Sequence, residues 1–420
     1  MKNRQPAHLF DHHPPDGPNS GQIPPAPPRT IEAGHPLQGF HHVFICDQVS
    51  PSAGGIQNMM YWIAHGLADR GLRVVVAGRQ DQEACRHLAQ AGIELYRLNN
   101  PPHTKNSRDL RLLKLILQLR LRYGTAVILY VPLIKNVKVY RWLSRWLRWR
   151  CVSYIHGNEV LRLVHKKPVQ LQKNLAACAC VFASSEYTKN LTGRLPAKTA
   201  NVHALAPGIP AGEFLRKLQQ PDSGYRQRQG WHDKQVVLML SRLVRRKGHE
   251  TAIAAIARLV GKYPSLRLVI GGGGIYQDTI QAMIERYGVT ANVELLGFVA
   301  EQDKLNLYQA CDIYCMPSEI CEESYEVEGF GISFLEAAAM GKYVIGSESG
   351  GIPESIERNR SGFLITPGAV DQLAGILDDL LGDPARYAAI RSYAQTRALT
   401  RFDWDSRVHR MLSHITAAVL

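Results

Sequence analysis

The sequence predicts an α/β protein built from two doubly wound, parallel-sheet domains. Three observations predict it. Short apolar runs of strand length alternate with longer amphipathic runs, the pattern of strands joined by crossover helices. The pattern runs through twice: residues 202–210, with Ala206-Pro207-Gly208-Ile209-Pro210, end the first round and turn the chain toward the second. Finally, 420 residues at 45% apolar content can fill two separate cores.

Residues 1–37 are rich in Pro, His, Gly and Gln, lack periodicity and read as a disordered, solvated tail that includes His8, His12 and His13. A short apolar strand follows over residues 42–46, then a loop over 50–57 containing Gly54 and Gly55, then an amphipathic helix over 58–70 closed by Gly71. A strand over 73–77 completes the opening unit of a doubly wound domain. The loop lacks G-x-G-x-x-G, so a dinucleotide fingerprint is not supported. A further strand is expected over 93–98.

The next stretch is the most basic. Between Lys105 and Arg150 there are twelve Lys or Arg residues and a single acid, Asp109. Residues 108–122 alternate Leu or Ile with Arg or Lys at helical spacing, and residues 140–150 add Trp142, Trp146 and Trp149. Two readings coexist. Basic amphipathic helices with Trp and Leu suit an anionic membrane surface. Equally, two outer helices of an α/β domain can lay long cationic stems over apolar surface. Nucleic acid, the third use of such charge, is not expected, because no nucleic-acid module accompanies it. The net charge of +14 nevertheless asks for an anionic partner.

A strand over 151–155 ends at His156-Gly157, and a strand near 181–185 opens into a helix near Tyr187. Ligands of parallel sheets gather at the carboxyl ends of strands, which places His156 at a functional rim. In the second round, the strand over 236–240 runs directly into Arg242 and Lys247, which can hold phosphate oxygens by a fork and by a point charge. A helix over 249–260, a strand over 266–270 and the run Gly271-Gly272-Gly273-Gly274 follow, the last allowing close approach of backbone to a ligand. Further strands are expected over 293–299, 343–346 and 362–365, and helices near 276–287, 370–381 and 384–400, before an amphipathic end over 402–420.

The most informative stretch is Glu328-Gly329-Phe330-Gly331-Ile332-Ser333-Phe334-Leu335-Glu336, a glycine turn feeding a helix that stops at Gly341. The free N–H groups of that helix start suit an anionic group such as a diphosphate. Glu328 precedes the helix and Glu336 lies just over a turn inside it, so both can face one ligand.

These residues, with Gly350-Gly351-Ile352-Pro353-Glu354 downstream, resemble the E-x7-E donor site of retaining glycosyltransferases of the GT-B fold, family 4. The resemblance is close in the C-terminal half and looser in the N-terminal half. It implies two Rossmann-like domains facing across a cleft: a tail over 1–37, an acceptor domain over 38–208, a nucleotide-sugar donor domain over 209–400, and a C-terminal helix over 401–420 crossing back to the first domain. It also implies site roles. Arg242 and Lys247 would hold the donor diphosphate, Glu328 the sugar and its developing positive charge, Glu336 the ribose, and His156 the transferred sugar. Gly54, Gly55, Gly272, Phe330, Gly331 and Ile332 would border the donor, and Phe298 would touch the base.

The implied reaction is transfer of a hexose from a UDP- or GDP-sugar to an acceptor hydroxyl with retention, in cell-envelope glycan or glycolipid synthesis. The acceptor would be a carbohydrate or a lipid-linked group. No cofactor or metal is expected: there is no Asp-x-Asp run on a loop, and Asp378-Asp379 fall on a helix. The eight cysteines fit neither a disulfide framework nor zinc spacing and read as reduced, buried thiols. With no signal peptide, and with the longest apolar run, 123–134, too short and carrying Pro132, a cytoplasmic protein is expected, peripheral at the inner face of the plasma membrane. Two other readings stay open: a phosphorylase or sugar-phosphate synthase with the same donor logic, and a basic lipid- or nucleic-acid-binding protein with a lapsed site.

Overall fold

A computed structural model of the chain describes residues 35–48, 55–79, 82–97, 105–131, 146–195 and 201–420. Two fully parallel sheets carry the architecture. The first has the order β3-β2-β1-β4-β5-β6-β7, with β1 His41–Gln48, β2 Arg73–Arg79, β3 Glu94–Arg97, β4 Val127–Val131, β5 Arg150–Ile155, β6 Cys180–Ala183 and β7 Val202–Ala204. The second has the order β10-β9-β8-β11-β12-β13, with β8 Gln235–Leu240, β9 Leu266–Gly271, β10 Val293–Gly297, β11 Ile313–Met316, β12 Tyr343–Ser347 and β13 Phe363–Ile365. Each order reverses once, between β1 and β4 and between β8 and β11, so each sheet has one switch point where a ligand crevice opens. This is the two-domain Rossmann-like architecture the sequence predicts.

The strands form where they do because both faces are covered. β4, Val-Ile-Leu-Tyr-Val, is buried at every residue, as are Val236 to Leu240 of β8. Continuous apolar runs of this kind belong to central parallel strands. The apolar stretch near 127–131, weighed in sequence only as too short to span a membrane, is thus the strand between β1 and β5. No helix among the described residues is long and apolar enough to cross a membrane. Residues 202–204, within the expected turn, form the edge strand β7.

Of the basic stretch, residues 132–145 lie outside the described residues, Arg141 and Arg145 among them. Trp149 belongs to the fold: it is buried in the first core, and its indole N–H donates to the Gly124 carbonyl at 2.9 Å. Trp146 is exposed. Seven cysteines fall among residues with described side chains; none is in a disulfide, and six are buried.

The Trp404–Val419 helix packs on the first domain, not the second. Val408, Met411, Leu412 and Ile415 join Phe44, Met59 and Val76 in one buried cluster, and Arg70 pairs with Asp405. The two crossings between domains run side by side: the Ile209 N–H donates to the Phe402 carbonyl at 2.7 Å, and the Trp404 N–H to the Ile209 carbonyl at 3.1 Å.

Candidate active site

The carboxyl ends of β8, β11 and β12 converge at the second switch point. The chain leaves β8 through Ser241 and Arg242 and closes a short 3-10 turn, Arg245–Lys247. Three residues per turn send successive side chains in different directions. Arg245 is exposed, 3.6 Å from Glu323, whereas Arg246 and Lys247 are buried and both reach Glu328. The Glu328 carboxylate accepts from the Lys247 ammonium at 2.5 Å and from the Arg246 guanidinium at 3.0 Å.

Burial alone would raise the Glu328 pKa, but the two cations outweigh it and hold it at about 2. Burial pulls the Lys247 ammonium down from its usual range while Glu328 pushes it up. With two cations on it, the Glu328 carboxylate stays ionised near neutrality. Arg246 was not singled out in the sequence, yet it is buried and bonded to Glu328. Nothing in the order Arg-Arg-Lys says which side chains of a 3-10 turn face inward.

Glu328 is positioned by both domains. Val327, just before it, is buried in the core of the first domain, and its N–H donates to the Asn158 side chain at 2.6 Å. On the other side, the Gly351 N–H donates to the Glu328 carbonyl at 2.9 Å. A Cβ on Gly351 would collide with the Gly329 carbonyl oxygen, so only glycine permits this approach. Glu354 adds a second tie across the domains: its carboxylate accepts from the Glu186 and Tyr187 N–H groups at 2.7 and 2.8 Å.

Gly331 takes φ 91° to open the Ile332–Ala339 helix, a conformation costly for any side chain. The first N–H groups of that helix have no partner within it. Glu336, one turn along, is partly buried and accepts from the Tyr308 hydroxyl at 2.7 Å. The Phe330 side chain is buried in the second core, 5.7 Å from the Phe402 ring, so at this turn it has only its backbone to offer a ligand.

His156 ends β5 and precedes the Gly157–Lys166 helix without capping it. Its ring stacks on Tyr154, and its Nε2 is enclosed without a hydrogen-bond partner among the described residues. Burial lowers its pKa to about 4, so the imidazole is neutral at working pH and can donate or accept a hydrogen bond. Ser318 Oγ, Ser349 Oγ and both ring nitrogens of His249, at this edge of the second sheet, are likewise buried without partners among the described residues. Sequence reasoning missed them; two short hydroxyls and a helix-start histidine carry no pattern.

Arg242 is exposed on its loop, and its guanidinium makes no hydrogen bond or ion pair among the described residues. The Gly272 N–H donates to the Gly297 carbonyl at 2.7 Å, next to the Ser241 turn. Phe298 follows β10 and is 84% exposed, free to meet a planar ligand. Gly55 starts the Gly55–Ala68 helix, and Gly54 lies outside the described residues. Among the described residues, no group of three or more His, Cys, Asp or Glu is arranged to hold a metal ion.

Residues 223–397 match the family of glycosyl transferases group 1, and residues 54–208 match the glycosyl transferase 4-like domain. A GDP-mannose-dependent alpha-(1-6)-phosphatidylinositol monomannoside mannosyltransferase of Mycolicibacterium smegmatis is 31% identical over 265 residues, 62% of this chain and 69% of the relative. A GDP-mannose-dependent monoacylated alpha-(1-6)-phosphatidylinositol monomannoside mannosyltransferase of Corynebacterium glutamicum is 33% identical over 208 residues, 49% of this chain and 54% of the relative. Among solved structures, Anabaena HepE in complex with UDP-glucose superposes with a TM-score of 0.73 over 90% of this chain and 99% of its own, at 24% identity, a likeness of fold. With both domains matched and the acidic pair standing at the switch point of the second sheet, the chain belongs to the group 1, family 4 glycosyltransferases of the GT-B fold.

Proposed function

We propose that this glycosyltransferase moves mannose from GDP-mannose to a hydroxyl of a lipid-linked acceptor, with retention at the anomeric carbon and without a metal ion. The observation that carries the reading is Glu328 held by Arg246 and Lys247 beside the Ile332–Ala339 helix start. The choice of donor and acceptor is supported by the mannosyltransferase relatives.

The leaving group is a nucleoside diphosphate, whose developing charge needs fixed positive partners. Arg242, Lys247 and the helix N-terminus supply them, and Arg246 keeps Glu328 in register as Lys247 turns to the phosphate. Glu328 is then a carboxylate beside the sugar, where it stabilises the positive charge building at the anomeric carbon. Glu336 takes the ribose hydroxyls. Neutral His156 hydrogen-bonds the sugar and aligns it. With the charge of the diphosphate met by these groups, no step is assigned to a metal.

A thermal-shift panel tests the donor. GDP should raise the melting temperature, by about 2.7 kcal/mol of stabilisation at a hundred times its dissociation constant, equally with Mg²⁺ or EDTA. UDP and ADP should do markedly less. A shift that needs Mg²⁺, or one largest with UDP, rejects this donor assignment.

A lipid-linked acceptor places the first domain at a membrane surface. On the Lys105–Tyr123 helix, Leu117 and Leu121 are exposed one turn apart with Lys114 and Arg122 beside them, and Trp146 is exposed as well. Apolar side chains ringed by cations suit an anionic bilayer. Leu117→Glu with Leu121→Glu should weaken binding to phosphatidylglycerol vesicles by about tenfold or more, at roughly 1.4 kcal/mol per decade, and leave GDP binding unchanged. Vesicle binding equal to wild type removes this face from membrane contact.

A further inference from the structure

A second cavity, of about 320 Å³, opens at the other end of the donor domain. It is bordered by Gln235, Ile313 and Tyr343, the first residues of β8, β11 and β12, whose far ends carry the candidate active site. The six residues of β8, five steps of about 3.3 Å, separate the two by a strand length of roughly 17 Å. Its volume falls at the small end of ligand sites, which run from about 300 to 1,000 Å³.

The lining is unevenly charged: Arg226, Lys234, Lys342 and Arg391 face one carboxylate, Asp312. Two of these cations are committed. Arg226 is paired with Asp312 at 3.0 Å and donates to the Ala310 carbonyl at 2.8 Å, and Lys234 pairs with Asp233 at 2.9 Å. The other two have no carboxylate among the described residues. Lys342 donates once, to the Gln309 carbonyl at 2.8 Å, which leaves two ammonium N–H groups. Arg391 lies over the Tyr343 ring, 5.4 Å from its centre, and makes no ion pair among the described residues. Leu380 and Pro384 complete an apolar wall beside that ring.

Two uncompensated cations next to an aromatic and aliphatic wall match a small dianion that carries a ring. We propose that this cavity binds a phosphate monoester, with Lys342 and Arg391 on the phosphate and Tyr343, Leu380 and Pro384 against the ring. Sugar phosphates and nucleoside monophosphates share this chemistry.

Calorimetry on the full chain with the cleft saturated by GDP tests the proposal. Glucose 6-phosphate, GMP and inorganic phosphate are titrated separately. One of the two esters should bind at least ten times more tightly than inorganic phosphate, and which one does identifies the source. Arg391→Glu, on the exposed face of the Ala388–Arg401 helix, should weaken that ester at least tenfold and leave GDP affinity unchanged. Lys342→Ala should do the same. No binding of either ester, binding no tighter than inorganic phosphate, or binding indifferent to Arg391→Glu overturns it. Because Arg391 and Lys342 line this cavity and not the cleft, an ester whose binding is lost in both variants reports on this cavity whichever nucleotide the cleft takes.

Discussion

Glu328→Gln is expected to lower turnover by roughly 10²-fold or more, the scale of losing one preorganised electrostatic partner. The expectation rests on charge, not shape, because glutamine keeps the size of the side chain and removes its charge. In the wild type the carboxylate sits near two buried cations and has a pKa of about 2, so it is ionised at any working pH and cannot act as a proton donor. The substitution would leave Arg246 and Lys247 uncompensated. Removing one partner of a buried pair costs about 3 kcal/mol, so the melting temperature should fall too. The two effects separate on ligand binding. GDP brings negative charge to the same cations, so its affinity should be retained or improved while turnover collapses. A variant that loses GDP binding in step with turnover would make Glu328 a structural anchor only.

Acidification from pH 7 to 5 should destabilise the fold through three buried histidines. His42, His156 and His249 each have a pKa lowered to about 4, by burial first and, at His249, by Lys247 as well. The sign follows from linkage. Each group binds its proton less readily folded than unfolded, so stability is full above about pH 6.5 and is lost as pH falls toward 4. One such histidine changes stability by at most about 1.4 kcal/mol per pH unit. Three together give on the order of 5 kcal/mol between pH 7 and 5. Glu213, Glu301 and Glu354, whose pKa values burial raises, act in the opposite sense and reduce the net loss. The observable is a melting temperature that falls steadily below pH 6.5, with a smaller slope in His42→Gln. His42 is the choice because its ring lies in the first core, 2.9 Å from the Tyr130 hydroxyl, away from the cleft. A melting temperature flat from pH 7 to 5 contradicts it.

The fold and part of the site were legible in the sequence for different reasons. Parallel strands buried on both faces leave continuous apolar runs, and glycine turns punctuate them, so most strands of the two sheets could be read directly, though not β4, β7 or β11. β4 shows the limit: five apolar residues beside a basic stretch gave a period too short to separate strand from buried segment. The acidic pair was legible because Gly331 and the alanine-rich helix fix the spacing of Glu328 and Glu336 along a single element. What spans elements was not. The inward turn of Arg246, the insertion of Val327 into the other domain and the grip of Glu354 on the Glu186 and Tyr187 N–H groups depend on packing between distant segments. The packing of the Phe330 ring against Phe402 was hidden for the same reason.

The most direct test of the central claim is transfer itself. Purified protein is incubated with radiolabelled GDP-mannose, or with radiolabelled UDP-glucose, and phosphatidylinositol-containing vesicles in the presence of EDTA, and the label is followed into the organic-soluble fraction. The account predicts label in lipid from GDP-mannose, an α-linkage that retains the donor's anomeric configuration, and little product from UDP-glucose. Transfer from UDP-glucose with none from GDP-mannose, an inverted linkage, or activity abolished by EDTA would contradict it.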